Sequence, residues 1–228
     1  LSAGPERCRD TLVDLLLEQS GCERAYERSD ADERAPEGLS ERTGLLRGDE
    51  PDALLEIVEA GARYLVDVRH GQKTGFYLDQ RDARDLVELL APGRRVLDLF
   101  AYTGGFAVAA ARGGAAALTV VDSSAEALAG ARRNLEPWAA SLPLRLERDD
   151  AFRFVRRDDG RYDLLVVDCA PTSRRATSPS VRRWPCCRCG NRVARIWRSR
   201  IKATGRVLRD SCARPGREIS RRSASARS

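Results

Sequence analysis

The hydrophobic rhythm of the chain changes three times. At the front, "DTLVDLLLEQSG" spaces its apolar residues for a helix, with Gly21 placed to cap its C-terminus. "CERAYERSDADERAPEGLSERTGLLRGDEP" is charged and rich in turn residues, which predicts short elements joined by loops. "ALLEIVEAGARYLVDVR" then alternates on both sides of Ala60-Gly61, the pattern of a β-hairpin. From Asp82 onward, helix and strand patterns take turns. "RDLVELLAPG" reads as a helix stopped by Pro92-Gly93, "RRVLDLF" as a short buried strand, and "TGGFAVAAARGG" as a turn opening an Ala-rich helix. "ALTVVD", "LPLRLERDD" and "YDLLVVD" supply three more strands. "SSAEALAGARRNLE" and "AFRFVRR" are the helices between them, the first with serines positioned to cap it. Strands separated by helices predict a parallel α/β sheet with right-handed crossovers. The expected organisation is a small α+β accessory unit over residues 1–78, the sheet over residues 79–168, and a different material from 169 to 228.

Composition sharpens that last boundary. Residues 169–228 hold 16 Arg and one Lys against Asp210 and Glu218, a net charge of +15, which leaves −9 for residues 1–168 out of the total of +6. The same 60 residues carry five of the seven cysteines but only seven Leu, Ile, Val or Phe, too few apolar side chains to build a core. Arg, Ser, Cys, Trp and Pro with almost no Leu is what a GC-rich coding sequence yields out of frame. The expectation is a frameshift near position 169 and a tail without fold, which would leave Leu164–Val167 as an exposed apolar edge. Only Lys73 and Lys202 are lysines among 40 basic residues, a bias of coding composition and not a design for nucleic acid. No Met occurs, so Leu1 is expected not to be a natural start and the sequence to be an internal piece of a longer one. No apolar run reaches the roughly 18 residues of a membrane helix, so no membrane partner is expected and the default location is cytoplasmic.

In an open parallel sheet, ligands bind beyond the carboxyl ends of the strands. Here those ends carry Asp98, Asp122, Asp149 with Asp150, and Asp168. One acid at a strand end is most simply a helix cap; acids on four successive ends point to a site. The first loop reads "DLFAYTGGF" and not G-x-G-x-x-G, so it does not offer pyrophosphate the bare backbone of a dinucleotide enzyme. Asp98 would repel pyrophosphate. It suits a cationic ligand such as the ammonium and sulfonium of S-adenosyl-L-methionine, with Gly104 and Gly105 letting the backbone pass close beneath. Asp122 is placed to accept both ribose hydroxyls, and Asp150-Ala151-Phe152 to meet an adenine amino group and face.

"GQKTGFYLDQRDAR", with "VLDLFAYTGGFAVAAARGGA", "VVDSSAEALAGARRN" and "DDAFRFV" after it, resembles the class I methyltransferases that modify large-subunit ribosomal RNA, and among these the bacterial group that methylates cytosine at C5. "YERSDADERAPEGLSERTGLLRG" resembles that group's linker domain, and the likeness extends over nearly all of residues 5–168. It implies a Rossmann-like methyltransferase sheet, S-adenosyl-L-methionine as cofactor and ribosomal RNA as partner, with a homodimer left open. It places Gln80, Asp98, Tyr102, Thr103, Gly104, Asp122, Ser123 and Asp150 around the cofactor and Asp168 at the catalytic position. Lys73 and Arg81 fall where they can meet the methionine carboxylate or an RNA phosphate; a salt bridge to the hairpin is the competing reading. His70 is the only histidine, and Gln72 stands where the group has His. The group's N-terminal RNA-binding PUA domain is not contained in residues 1–228.

The resemblance fails after Asp168. The group continues with Asp-Pro-Pro and later supplies a cysteine, because cytosine C5 is a poor nucleophile until a thiolate adds to C6. This chain has Asp168-Cys169-Ala170-Pro171. Three functional readings of residues 169–228 compete: Cys169 as a substitute nucleophile, a zinc site at Cys186-Cys187-Arg188-Cys189, and an RNA-gripping basic tail. The expected function is methylation of ribosomal RNA by a chain whose catalytic half is disrupted. The rivals are a non-catalytic RNA-binding protein using its basic tail, and a nucleotide-linked oxidoreductase on the same sheet.

Overall fold

The computed structural model describes residues 3–29, 32–72, 74–168 and 206–209, the last four as backbone. Its front consists of α1 (Ala3–Glu6), α2 (Arg9–Ser20) and an antiparallel pair, β1 (Ala25–Ser29) with β2 (Arg42–Arg47). The cap expected at Gly21 is present, with φ 68 and its N–H on the Leu17 carbonyl. α2 nevertheless buries only Val13, and Leu15 and Leu16 face solvent. Charge does much of the joining in this part. Arg34 is buried, donating to the Ser40 carbonyl at 2.9 Å and lying 3.3 Å from Glu6, which also pairs with Arg42 at 3.1 Å.

β3 (Leu55–Glu59) and β4 (Ala62–Val66) form the expected hairpin, turning at Ala60 and Gly61 with φ 48 and 80. Two successive left-handed residues give a turn whose twist matches the strands, and glycine accepts that φ freely. Ala62, Tyr64 and Val66 are buried in the same apolar cluster as Val87, Val96 and Val108. The hairpin therefore packs into the core of the sheet's helical layer.

The sheet holds β5 (Arg95–Leu99), β6 (Ala117–Asp122), β7 (Leu144–Arg148), β8 (Leu164–Val167) and β9 (Arg206–Arg209), all parallel, in the order β7-β6-β5-β8-β9. α3 (Arg81–Leu90), α4 (Gly105–Arg112), α5 (Ala125–Leu135) and α6 (Ala151–Arg157) are its helices. Alternation along the strands divides the core in two, as strand geometry requires. Val96, Leu118, Val120, Leu164 and Val166 join α4 and α5 on one face; Leu97, Leu99, Val121, Leu165 and Val167 join Phe154 and Val155 of α6 on the other.

The fold is the α/β Rossmann-like parallel sheet that the sequence predicts. One expectation is corrected. Leu164–Val167 is not an exposed edge: its residues are 1% to 8% exposed, and β9 pairs along it. β9 falls within the tail expected to be too poor in Leu to fold, yet "RVLR" is long enough to close one ladder. The readings of Cys169, Cys186, Cys187 and Cys189 fall outside the described residues.

Candidate active site

β5 ends on a loop that is under backbone strain. Phe100, Tyr102 and Gly104 have φ of 62, 50 and 80, so three of five successive residues are left-handed, two of them with side chains. Such backbone persists only where its surroundings enforce it. Asp122, at the end of β6, does so. One of its oxygens accepts the Tyr102 N–H at 2.8 Å and the other the Ser124 N–H at 2.9 Å. A carboxylate offers roughly four acceptor positions, so both oxygens keep capacity for a further donor. Ser124 caps α5 through the Ala127 N–H at 3.0 Å, as its position predicts. Gly104 opens α4, and a Cβ there would stand 3.1 Å from the Ala131 Cβ. The strand, the tight passage and the helix start are thus fixed together.

The same loop is tied to the hairpin side. Asn134 of α5 is buried; its side chain donates to the Thr103 carbonyl at 3.0 Å and accepts the Leu65 N–H at 2.8 Å. The Tyr102 hydroxyl accepts the Gln72 N–H at 2.8 Å and donates to the Gly75 carbonyl at 3.4 Å. The Tyr77 ring meets Tyr102 edge-on, and its hydroxyl donates to the Gln72 side chain at 3.2 Å. Beneath them, Arg84 bonds both Glu59 oxygens at 2.6 and 2.9 Å and the Tyr77 carbonyl at 2.9 Å, and lies over the Phe76 ring.

Electrostatically, the centre of the site is Asp98. It is fully buried and, among the described residues, neither carboxylate oxygen has a hydrogen-bond partner. Burial pushes its pKa well above the ordinary carboxylate range, and the Asp168 and Asp122 charges push it further; the Ala107 amide opposes them without making a hydrogen bond. Asp168, at the end of β8, also helps burial to raise Tyr77, with Asp79 adding to the effect. Asp98, Asp122 and Asp168 are therefore one electrostatic group, as acids on adjacent strand ends should be.

The other predicted residues are more dispersed. Asp150 is exposed and caps α6 through the Arg153 N–H at 2.9 Å, the simple capping role. Its neighbour Asp149 is buried and accepts from the Arg153 and Arg157 side chains; burial would raise its pKa, but those guanidinium bonds hold it low. Ser123 is exposed, with Arg148 donating to its carbonyl at 3.4 Å. Gln80 sits half-buried at the start of α3, its N–H on the Tyr77 carbonyl at 3.2 Å. Arg81 lies 3.2 Å from Glu59 in the hairpin, the salt-bridge alternative, and Lys73 falls outside the described residues. His70 is exposed, 3.4 Å from Asp67. Asn134 and the Arg84–Glu59 pair were not anticipated. The signal for Asn134 was an amide in the last turn of α5, on the face it shares with Ala127 and Ala131; Glu59 gave none. Cys8 and Cys22 are exposed free thiols of the front part. Among the described residues, no cluster of three or more His, Cys, Asp or Glu is arranged to hold a metal, and no helix is long and apolar enough to cross a membrane.

Comparison with known proteins identifies relatives in sequence and in fold. The ribosomal RNA large subunit methyltransferase I of Erwinia tasmaniensis is 44% identical over 172 residues, covering 74% of this chain and 43% of the relative. The chain thus spans less than half the length of that relative. A Streptococcus mutans chain assigned as a SAM-dependent methyltransferase has TM-score 0.72 and 27% identity, covering 90% of this chain and 51% of its own. A methyltransferase-assigned chain solved with S-adenosylhomocysteine has the same TM-score and identity, with 89% and 51% coverage. The profile of the S-adenosylmethionine-dependent methyltransferases matches residues 40–180, more than half of the sequence, and the chain belongs to that family.

Proposed function

We propose that this chain is the cofactor-binding part of a methyltransferase acting on large-subunit ribosomal RNA, with cytosine C5 as the methylated atom. The observation that carries the cofactor reading is Asp98, a buried carboxylate with no donor, facing the strand ends beside Asp122 and Asp168. A ligand that brings positive charge and two hydroxyls fits this arrangement; one that brings pyrophosphate does not. The bound cofactor supplies a methyl group made electrophilic by its sulfonium. Asp122 takes the ribose hydroxyls with its remaining acceptor capacity while holding the Tyr102 and Ser124 amides. Tyr102, Thr103 and Gly104 keep the backbone low enough for the ligand to lie against it. Gln80 and Ser123 border the entrance. Asp150 and Phe152 flank the base, with Phe152 already edge-on to Phe100. Asp168 faces the transfer position, where it orients the target base. Positioning of this kind is most of what a methyl transfer requires from a protein.

The substrate proposal rests on the relative from Erwinia tasmaniensis and on the sequence motifs of the cytosine-C5 group. The thiolate that this reaction needs does not come from Cys8 or Cys22, which lie in the front part. Because Asp168-Cys169-Ala170-Pro171 stands where the group has Asp-Pro-Pro, we expect cofactor binding without turnover from this chain. Isothermal titration with S-adenosylmethionine, and then transfer of labelled methyl to a large-subunit rRNA transcript, tests both parts. Binding without transfer is the expected result. Absence of binding removes the cofactor reading, and label appearing on cytosine C5 removes the inactivity. Binding of NAD in place of S-adenosylmethionine would favour the oxidoreductase.

A further inference from the structure

Strand parity explains why Asp98 stands apart from the other two acids. In β5 it pairs with Val120 of β6 and Val166 of β8. Both valines belong to the apolar cluster under α4, so the carboxylate lies one residue pair inside the core. Asp122 and Asp168 each come two positions later on the flanking strands. They share the face of Asp98 but stand at the level where β5 has already turned away into its left-handed loop. The charges that act on Asp98 are thus two carboxylates of its own sign, from β6 and β8, while α4 contributes only the Ala107 amide. An ionised carboxylate cannot be held there without a cation, and a neutral one can.

Building on the cofactor reading above, we infer that Asp98 carries a proton in the unliganded chain and releases it when S-adenosylmethionine brings its positive charge to the strand ends. Cofactor capture is then an exchange of a proton for a cation. Asp122 and Asp168 set the sign of the field that Asp98 meets. Three consequences separate this from simple shape recognition. Binding releases about one proton per cofactor. Affinity rises with pH, by up to about tenfold per pH unit while Asp98 is still protonated in the unliganded state. A neutral isostere at position 98 removes both effects.

The test is isothermal titration of the full chain with S-adenosylmethionine in two buffers of different ionisation enthalpy, near neutral pH, repeated on Asp98→Asn. The expected result is a buffer-dependent heat equivalent to about one released proton in the parent and none in the variant. Carboxyl carbon NMR of the unliganded parent supplies a reading independent of the ligand and of the variant's folding. There the Asp98 carboxyl should titrate well above the other aspartates. Binding with no buffer dependence overturns the proton exchange and leaves the cofactor reading standing. An Asp98 signal titrating in the ordinary range does the same. No binding in either buffer overturns the cofactor reading, and the exchange falls with it.

Discussion

Asp98 and Gly104 show how much a single position can decide. Because the folded chain raises the Asp98 pKa, the protonated form is favoured by folding, so its contribution is intact at low pH and is lost as pH rises. Within that window the unliganded chain should lose up to about 1.4 kcal/mol of stability per pH unit, and Asp98→Asn should flatten the curve. Denaturant titrations at a series of pH values measure this slope. Tyr64 behaves in the same sense at the alkaline end. Burial pushes its hydroxyl up to about 12 from 10.0, so the stability it confers is complete below its unfolded pKa and disappears as pH climbs through the folded value. Tyr64→Phe should delay alkaline unfolding, observable by circular dichroism. Gly104→Ala puts a Cβ at left-handed φ and 3.1 Å from Ala131; it should cost about 1–2 kcal/mol and weaken cofactor binding in the same preparation. Unchanged affinity and melting temperature would mean that the passage before α4 is not tight.

At the scale of elements, the hairpin, α3 and α5 support the loop after β5. Glu59 and Arg84 are the joint between hairpin and α3, with side chains 6% and 4% exposed. Removing one partner strands a buried charge, so Glu59→Gln should destabilise by about 3 kcal/mol, while Glu59→Leu with Arg84→Leu should recover most of that loss. A double-mutant cycle of Glu59→Leu and Arg84→Leu, read by chemical denaturation, decides it, and a double-variant loss equal to the sum of the two single losses would refute the coupling. Asn134 is the second joint, from α5 to both β4 and the Thr103 carbonyl. Asn134→Leu leaves two part-buried backbone groups without this partner and should cost about 1–2 kcal/mol. The hairpin, the sheet and most helices were legible because their apolar periods of 2 and 3.6 and their turn residues agree. The joints were not, since they consist of polar side chains whose partners lie 25, 31 and 69 positions away. The caps of α5 and α6 were readable as local features, and for Asp150 the capping role is the one the structure shows.

At the scale of the whole molecule, the five-stranded parallel sheet brings Asp98, Asp122 and Asp168 together at its carboxyl end, and the hairpin packs into the core on one of its faces. A ligand held there stabilises the entire cooperative unit. S-adenosylmethionine at about a hundred times its Kd should add about 2.7 kcal/mol and raise the melting temperature accordingly. A thermal scan with and without the cofactor checks this, and no shift at saturating concentration would count against the site.

The sequence alone determined most of the elements, the parallel character of the sheet and the identity of the acids at the strand ends. These come from local periodicity and from the rule that parallel strands present their carboxyl ends on one side. It also determined the family, through the motifs around "GQKTGFYLDQR" and "VLDLFAYTGGF". Only the tertiary structure decided which of those acids finds donors nearby and which is left without one. Asp150 and Asp149 found donors within their own helix, whereas Asp98 was carried into the core between Val120 and Val166 and found none. A sequence shows that a carboxylate is present; its surroundings, assembled from strands far apart in the chain, set the energy of its charge.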